Sequence, residues 1–257
     1  MTEALAAEAA APSRGHLVTV ARVIPESADA VSIVFNVPDC DRARFGYRPG
    51  QFLTLQIPSE RTGSVSRCYS ISSSPHVDAE LQVTVKRTPD GYASNWLCDT
   101  VAPGQRLRVL PPSGVFVPAS LDADLLLFAG GSGITPIISI MKSALAQGSG
   151  HLLLIYANRD EASVIFADEL RALAERYPDR LTVVHWLESV QGLPTQRQFQ
   201  LLAAPFATYE TFTCGPEPFM AAVTGALEQL GIPRDRRNIE VFTSLSGDSF
   251  AERKRRG

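Results

Sequence analysis

Near residue 121 the pattern of the chain changes, and that change limits the folds open to it more than any other feature. Up to about residue 118 the apolar residues form short β-branched or alternating runs at 17–24, 31–37, 51–57, 67–73, 81–87 and 106–110, separated by Pro, Gly, Asp and Ser. Six such runs read as strands of a small antiparallel β-barrel. The exception is 95–101, a helical turn following Gly91 and Ser94. Beyond residue 121, apolar strands at 124–129, 151–156, 181–186, 211–214 and 238–242 alternate with helical patterns. Ile134, Ile137, Ile138, Met141 and Leu145 make one helical stripe, ended by Gly148, and Phe166, Leu170, Leu173 and Tyr177 make a second. A short helix at 196–202 and the stripe Phe219, Val223, Ala226, Leu227 and Leu230 complete the set, with Gly231 and Pro233 closing the last. Strands alternating with helices predict an open, doubly wound, mostly parallel α/β sheet. The expectation is therefore two domains: an antiparallel β-barrel over 16–118 and an α/β domain over 119–245, flanked by a disordered tail at 1–15 and a basic tail or linker remnant at 246–257.

Composition sets outer bounds on function. A hydrophobic share of 45% with 20% charged residues suits well-packed cores, and a net charge of −3 gives no reason to expect nucleic acid. No apolar run approaches the roughly 20 residues that span a bilayer, so no membrane association is expected. The Ala-rich start contains Glu3 and Glu8 and lacks a basic cluster, unlike a secretory signal. Cys40, Cys68, Cys98 and Cys214 form no C-x-x-C pair, which argues against a zinc site or a disulfide framework and favours a reducing, cytoplasmic setting. His16, His76, His151 and His185 are isolated, so no metal site is expected. Trp96 and Trp186 read as packing residues.

Three stretches carry chemistry. In Arg67-Cys68-Tyr69-Ser70-Ile71-Ser72-Ser73-Ser74-Pro75, strand alternation puts Arg67, Tyr69 and Ile71 on one face and Cys68, Ser70 and Ser72 on the other. A guanidinium to grip a diphosphate, a ring to lie on a planar heterocycle and a hydroxyl to reach a ring nitrogen suit a bound flavin. The same run equally describes a half-buried strand ending in a Ser/Pro turn. Directly after the first α/β strand comes Gly130-Gly131-Ser132-Gly133-Ile134-Thr135-Pro136, where close backbone approach and free helix N–H groups suit a diphosphate. Pro136 fits a first helical turn, and Ile134 excludes a hydrolase nucleophile elbow, which needs Gly at that position. Cys214-Gly215-Pro216 follows the fourth strand and would flank the same crevice if strands one and four are neighbours. Cys214 also reads as a small buried residue.

With Arg67-x-Tyr69-Ser70, Gly131-x-Gly133-x-x-Pro136 and Cys214-Gly215-Pro216 in this order, residues 16–246 resemble the ferredoxin–NADP reductase superfamily. Within it the chain looks most like reductase components of bacterial oxygenases, of the 3-ketosteroid 9α-hydroxylase reductase type, with phenylacetyl-CoA epoxidase reductase a near relative. Thr62 to Val65, Val83 to Arg87, Gly91 to Leu97, Tyr156 to Arg159 and Ile239 to Phe242 support the match. The resemblance implies FAD as cofactor: Arg67 on its diphosphate, Tyr69 stacked on the isoalloxazine, Ser70 near its reactive nitrogen, Val85 and Lys86 at its border, and Gly91 and Ser94 offering donors to its phosphates. It implies that Gly131, Gly133, Thr135 and Pro136, with Gly215 and Pro216, receive NADH or NADPH, and that Cys214 and Glu240 lie near both rings, making Ser70, Cys214 and Glu240 the catalytic set.

The implied activity is NAD(P)H-dependent reduction of FAD followed by single-electron transfer to a ferredoxin or an iron–sulfur oxygenase component. In the resembled reductases a plant-type ferredoxin domain with a C-x4-C-x2-C run follows. This chain has no such run, so no iron–sulfur cluster is expected in it, and Arg253 to Arg256 read as a solvated tail or a docking point for an acidic carrier. Leu187-Glu188-Ser189 replaces the Ser-Arg pair of NADP-dependent relatives, which favours NADH, while Arg159 is the residue that could reverse this. Two other functions stay open: a flavin-binding module without catalysis, and an NAD(P)H oxidase using small acceptors.

Overall fold

The computed structural model describes residues 15–242 and 249–250. The first half is a six-stranded antiparallel sheet of β1 (His16–Ser27), β2 (Ala30–Asn36), β3 (Phe52–Ser59), β4 (Gly63–Ser70), β5 (Leu81–Lys86) and β6 (Arg106–Ser113), in the order β4-β3-β6-β1-β2-β5. The sheet curls on itself to bury the apolar face of most of its strands, and Val20, Ile33, Leu55, Val83 and Val109 meet in one interior. Helix α1 (Tyr92–Thr100) plugs it with Leu97, which is fully buried. Closure is incomplete: β4 and β5 share no ladder, and only the chain just past β4 joins β5, by the bridge between Ile71 and Val83 and the Ser72 N–H donating to the Gln82 carbonyl at 2.9 Å. Beyond that bridge a seam lies open between the two edge strands.

The second half is a five-stranded parallel sheet of β7 (Leu125–Gly130), β8 (Leu152–Asn158), β9 (Leu181–Leu187), β10 (Glu210–Cys214) and β11 (Arg237–Glu240), in the order β11-β10-β7-β8-β9. Its central strands read as continuous apolar runs because both faces are covered. Helices α2 (Ile134–Gln147) and α3 (Ala167–Arg176) pack on Leu125, Leu127, Leu152, Leu154 and Phe212. After the short α4 (Glu188–Gln191), α5 (Gln196–Ala203) and α6 (Glu217–Gln229) pack on Leu126, Phe128, Leu153 and Ile155 from the other side. The doubly wound expectation is met, and β7 lies between β10 and β8, so the strand order reverses at β7.

Helix α2 joins the halves. One side lies on the sheet, while Ser139, Lys142 and Ser143 are buried against the barrel half. Ser139 Oγ donates to the Ser73 carbonyl at 2.6 Å, and the Ser143 and Ser74 hydroxyls are 2.8 Å apart. Lys142 Nζ lies 2.6 Å from Asp78 Oδ2 and 2.9 Å from Glu169 Oε1, tying the loop after Ser74 to α2 and α3.

Two expectations need correction. The strand expected at 67–73 runs from Gly63 to Ser70, because the chain turns after Ser70 and commits Ser73 and Ser74 to α2. Of the expected tails, 1–14, 246–248 and 251–257 lie outside the described residues. Phe250 is not solvated: it is 1% exposed, and a Cβ on Gly15 would meet its ring at 2.7 Å and Arg108 Cγ at 2.6 Å. An aromatic ring gains too much by burial to stay in water when the barrel wall is within reach. Among the described residues no helix is long and apolar enough to cross a membrane.

Candidate functional site

The seam between β4 and β5 opens into a cleft of about 580 Å³. Arg67, Cys68, Tyr69 and Ser70 all reach it, although strand alternation predicts this of one face only. β4 is an edge strand, so its free edge as well as one face borders the seam. The Arg67 guanidinium donates to the Ser66 carbonyl at 2.8 Å and has no carboxylate partner among the described residues. Tyr69 lies against the barrel interior, and burial raises its hydroxyl pKa well above the usual tyrosine value. The far wall is the turn Thr88-Pro89-Asp90-Gly91 leading into α1. Asp90 takes a positive φ of 57°, and at Gly91 a Cβ would stand 2.8 Å from both Ser94 Oγ and Thr88 Cβ. Ser94 Oγ accepts from the Thr88 N–H at 3.1 Å and donates to the Gly91 carbonyl at 3.2 Å, which fixes this turn at the start of α1.

The glycine-rich turn after β7 stands across from that wall. Ser132 and Thr135 line the same cleft, and Thr135 Oγ1 donates to the Ser132 carbonyl at 3.0 Å. Gly131 has φ of 52°, and its carbonyl accepts from the Tyr156 hydroxyl at 3.1 Å. Gly133 is required by its neighbour: a Cβ there would sit 2.0 Å from the Cys214 carbonyl oxygen. Gly215 in turn faces Gly130 so closely that its Cβ would be 3.1 Å from the Gly130 backbone. The two strand-to-helix turns therefore touch, as the parallel pairing of β7 with β10 requires. Pro136 lies in the first turn of α2 and Pro216 caps α6. Lys86 reaches across from β5, its Nζ 3.8 Å from where a Cβ on Gly131 would be.

Ser70, Glu240 and Cys214 come together where the halves meet. Ser70, 3% exposed, donates from Oγ to Glu240 Oε2 at 3.3 Å. Cys214 and Glu240 are register partners in the β10–β11 pair, and Cys214 is fully buried. Burial pushes the Glu240 carboxyl up to about 7, offset in part by the Ser70 hydrogen bond. Burial, then the nearby Glu240, holds the Cys214 thiol well above its ordinary range. Near neutral pH the junction thus presents a neutral thiol and a carboxyl balanced between its two states.

Of the expected site residues, Arg67, Tyr69, Ser70, Lys86, Gly91, Ser94 and Thr135 line the cleft. Val85 does not. Its side chain is fully buried in the barrel, because on a period-two strand Thr84 and Lys86 are the residues turned outward. Sequence reasoning assigns no site role to Thr84, Thr88, Tyr92 or Phe242, which also line the cleft. Phe242 has a readable signal, an aromatic directly after the last strand, and it is 49% exposed at the cleft. Thr84 has none, being one small hydroxyl in an apolar strand. Asn158, buried at the carboxyl end of β8, has neither amide atom hydrogen-bonded. No group of three His, Cys, Asp or Glu side chains among the described residues is placed to hold a metal.

Comparison with known proteins agrees with this geometry. Residues 17–117 match the oxidoreductase FAD-binding domain family and residues 127–225 the oxidoreductase NAD-binding domain family. The chain is 66% identical over 240 residues to the ferredoxin reductase component of a 3-ketosteroid-9-alpha-monooxygenase from Rhodococcus rhodochrous, covering 93% of this chain and 68% of that one. It is 34% identical over 237 residues to the glycine betaine monooxygenase reductase of Pseudomonas aeruginosa, covering 88% and 64%. A ferredoxin-NADP+ reductase from Plasmodium falciparum superposes with a TM-score of 0.74 at 19% identity, over 89% of this chain and 96% of that one, which speaks to the fold alone. The chain belongs to the ferredoxin reductase-like family of FAD-dependent NAD(P)H oxidoreductases.

Proposed function

We propose that this protein is the reductase component of an oxygenase system, taking electrons from NADH and passing them singly to a ferredoxin or to an iron–sulfur centre of the oxygenase. The observation that carries the reading is the Ser70–Glu240–Cys214 junction, where a residue from each half, Ser70 and Glu240, share a hydrogen bond of 3.3 Å beside a buried thiol. A module that merely holds a flavin has no use for a second half built this closely against the first. FAD, when bound, accepts two electrons together from a reduced nicotinamide and releases them one at a time.

The residues present fit that cofactor. A cleft of about 580 Å³ is of ordinary ligand-pocket size, Arg67 is uncommitted to any carboxylate among the described residues, and Gly91 lets the chain pass where a Cβ would collide. In this reading Arg67 and the α1 N-terminus, entered through Gly91 and Ser94, hold the diphosphate of FAD, and Tyr69 covers its ring system. Ser70 stands at the ring edge with its hydroxyl donating to Glu240, which links that edge to the Glu240 carboxyl. Gly131, Gly133, Thr135 and Pro136 admit the dinucleotide of NADH on the other side, with Lys86 supplying charge to its diphosphate, and Gly215 and Pro216 shape the floor. Cys214 excludes water and positions the nicotinamide. The barrel half is assigned to 16–118 and the nucleotide half to 119–245, and four free thiols accord with a cytoplasmic setting.

The test is NADH-dependent reduction of cytochrome c, or turnover of an oxygenase, with and without an added plant-type ferredoxin, alongside ferricyanide as a direct acceptor. The reading expects ferricyanide reduction by the protein alone and coupling only when ferredoxin is present. Full coupling without ferredoxin would contradict the proposed acceptor.

A further inference from the structure

Arg159 directly follows β8, the strand reached after the glycine-rich turn and its helix. At this place in a doubly wound sheet the adenosine ribose is read: an acidic group takes the 2′-hydroxyl of NADH, or an arginine takes the 2′-phosphate of NADPH. The Arg159 carbonyl accepts from the Ser189 N–H at 2.8 Å, which fixes its backbone beside the Glu188–Ser189 stretch after β9. The side chain is engaged elsewhere. Its Nη2 donates to Asp29 Oδ2 at 3.0 Å and to Ser163 Oγ at 3.4 Å.

Asp29 belongs to the other half of the molecule, in the turn between β1 and β2. It is the firmer partner, 22% exposed against 67% for Arg159. Ser27 Oγ donates to its Oδ1 at 3.0 Å, and its carbonyl accepts from the Arg87 N–H at 2.7 Å. Its turn is docked on the nucleotide half by the Ala28 N–H donating to the Ala162 carbonyl at 3.4 Å. Lys86 Nζ is 3.7 Å away. Asp29, Lys86 and Arg159 line a second cleft of about 400 Å³, which shares Lys86 and Thr88 with the larger one.

The geometry points to Asp29 as a specificity-determining residue: it holds the Arg159 guanidinium across the boundary between the halves and so denies it to a 2′-phosphate, biasing the enzyme toward NADH. The inference rests on the nicotinamide reading above and deepens it. The effect is one of occupancy, since the carboxylate takes guanidinium donors that a phosphate would use. The charge of Asp29 also reaches Lys86, but the diphosphate is common to both nucleotides, so that effect moves both equally and cancels in their ratio.

The experiment is steady-state ferricyanide reduction with NADH and with NADPH by FAD-loaded wild type, Asp29→Asn, Arg159→Gln and the double variant. Asparagine keeps the acceptor for Ser27 and removes the charge. The expected result is a rise of about fivefold in the NADPH:NADH ratio of kcat/KM for Asp29→Asn, the size set by a partly exposed ion pair. The rise disappears in the double variant, and Arg159→Gln alone leaves the wild-type ratio unchanged. An unchanged ratio in Asp29→Asn, or a rise that survives in the double variant, overturns the inference. Should Asp29→Asn not fold, a fall in the ratio for Arg159→Gln overturns it, because it would show Arg159 already serving the phosphate. Wild type that oxidises neither nucleotide refutes the underlying reading as well, whereas NADH oxidation with an unmoved ratio refutes the Asp29 assignment alone.

Discussion

Burial pushes the Glu240 carboxyl up to about 7, and this has a consequence for stability as well as for chemistry. The unfolded chain loses this proton near 4.5 and the folded chain near 7, so between those values the folded state binds more protons. Stability therefore falls as pH rises through that window and levels off above it, a loss on the order of 3 kcal/mol for this group alone. Urea denaturation at about pH 5 and about pH 7.5 checks it: Glu240→Gln should show a smaller fall than wild type by that order. With FAD bound, an ionised Glu240 carboxylate beside it would oppose the flavin's gain of electrons. Flavin reduction by NADH should slow as pH rises through about 7 in wild type and lose that inflection in Glu240→Gln. Arg67 and Ser70 separate by the kind of contact each can make. Arg67→Ala should weaken FAD binding by about 1.5–3 kcal/mol and Ser70→Ala by about 0.5–1.5 kcal/mol, as read by fluorescence titration, because a charge-assisted contact outweighs a neutral one. Ser70 already directs its hydroxyl to Glu240, which lowers its share further.

Among the elements, the two strand-to-helix turns depend on each other. Gly133→Ala would place a methyl 2.0 Å from the Cys214 carbonyl oxygen, so one turn must retreat. A displacement of that size at the reacting centre should slow flavin reduction on the order of 100-fold with FAD content unchanged, since Gly133 is not part of the barrel half. Anaerobic stopped-flow kinetics against the visible spectrum separates the two effects. These turns are legible in the sequence because glycine beside a strand end is a signal any chain of this class must give. The seam is less so. Ser72, Ser73 and Ser74 look alike in a sequence, yet Ser72 bonds Thr84 inside the barrel half while Ser73 and Ser74 hold α2. Val85 misleads for a related reason: a motif names consecutive residues, but the strand turns every second one inward. The five apolar positions of α2 predict a helix with one buried face. Its polar residues, Ser139, Lys142 and Ser143, are buried too, because a second half of the molecule covers them.

At the scale of the whole molecule, what the sequence does not express is how the halves are joined. Two fold classes follow from the change in periodicity near residue 121, but Lys142 with Asp78 and Arg159 with Asp29 pair residues with no sequence signal linking them. Lys142 is 7% exposed and serves two carboxylates. Lys142→Ala should cost roughly 1–3 kcal/mol, since Asp78 and Glu169 lose their shared cation while staying partly buried. The thermal transition should broaden or split as the halves uncouple. In the proposed function electrons pass from nicotinamide to FAD at the junction of Ser70, Glu240 and Cys214. The measurement that reaches it directly is single-turnover reduction of the FAD-loaded protein by NADH without oxygen, in wild type and Cys214→Ala. The flavin band should bleach in wild type, and the rate should be lower by about tenfold or more in Cys214→Ala at equal FAD content. No bleaching in wild type, or the same rate in both proteins, would contradict electron transfer at this junction.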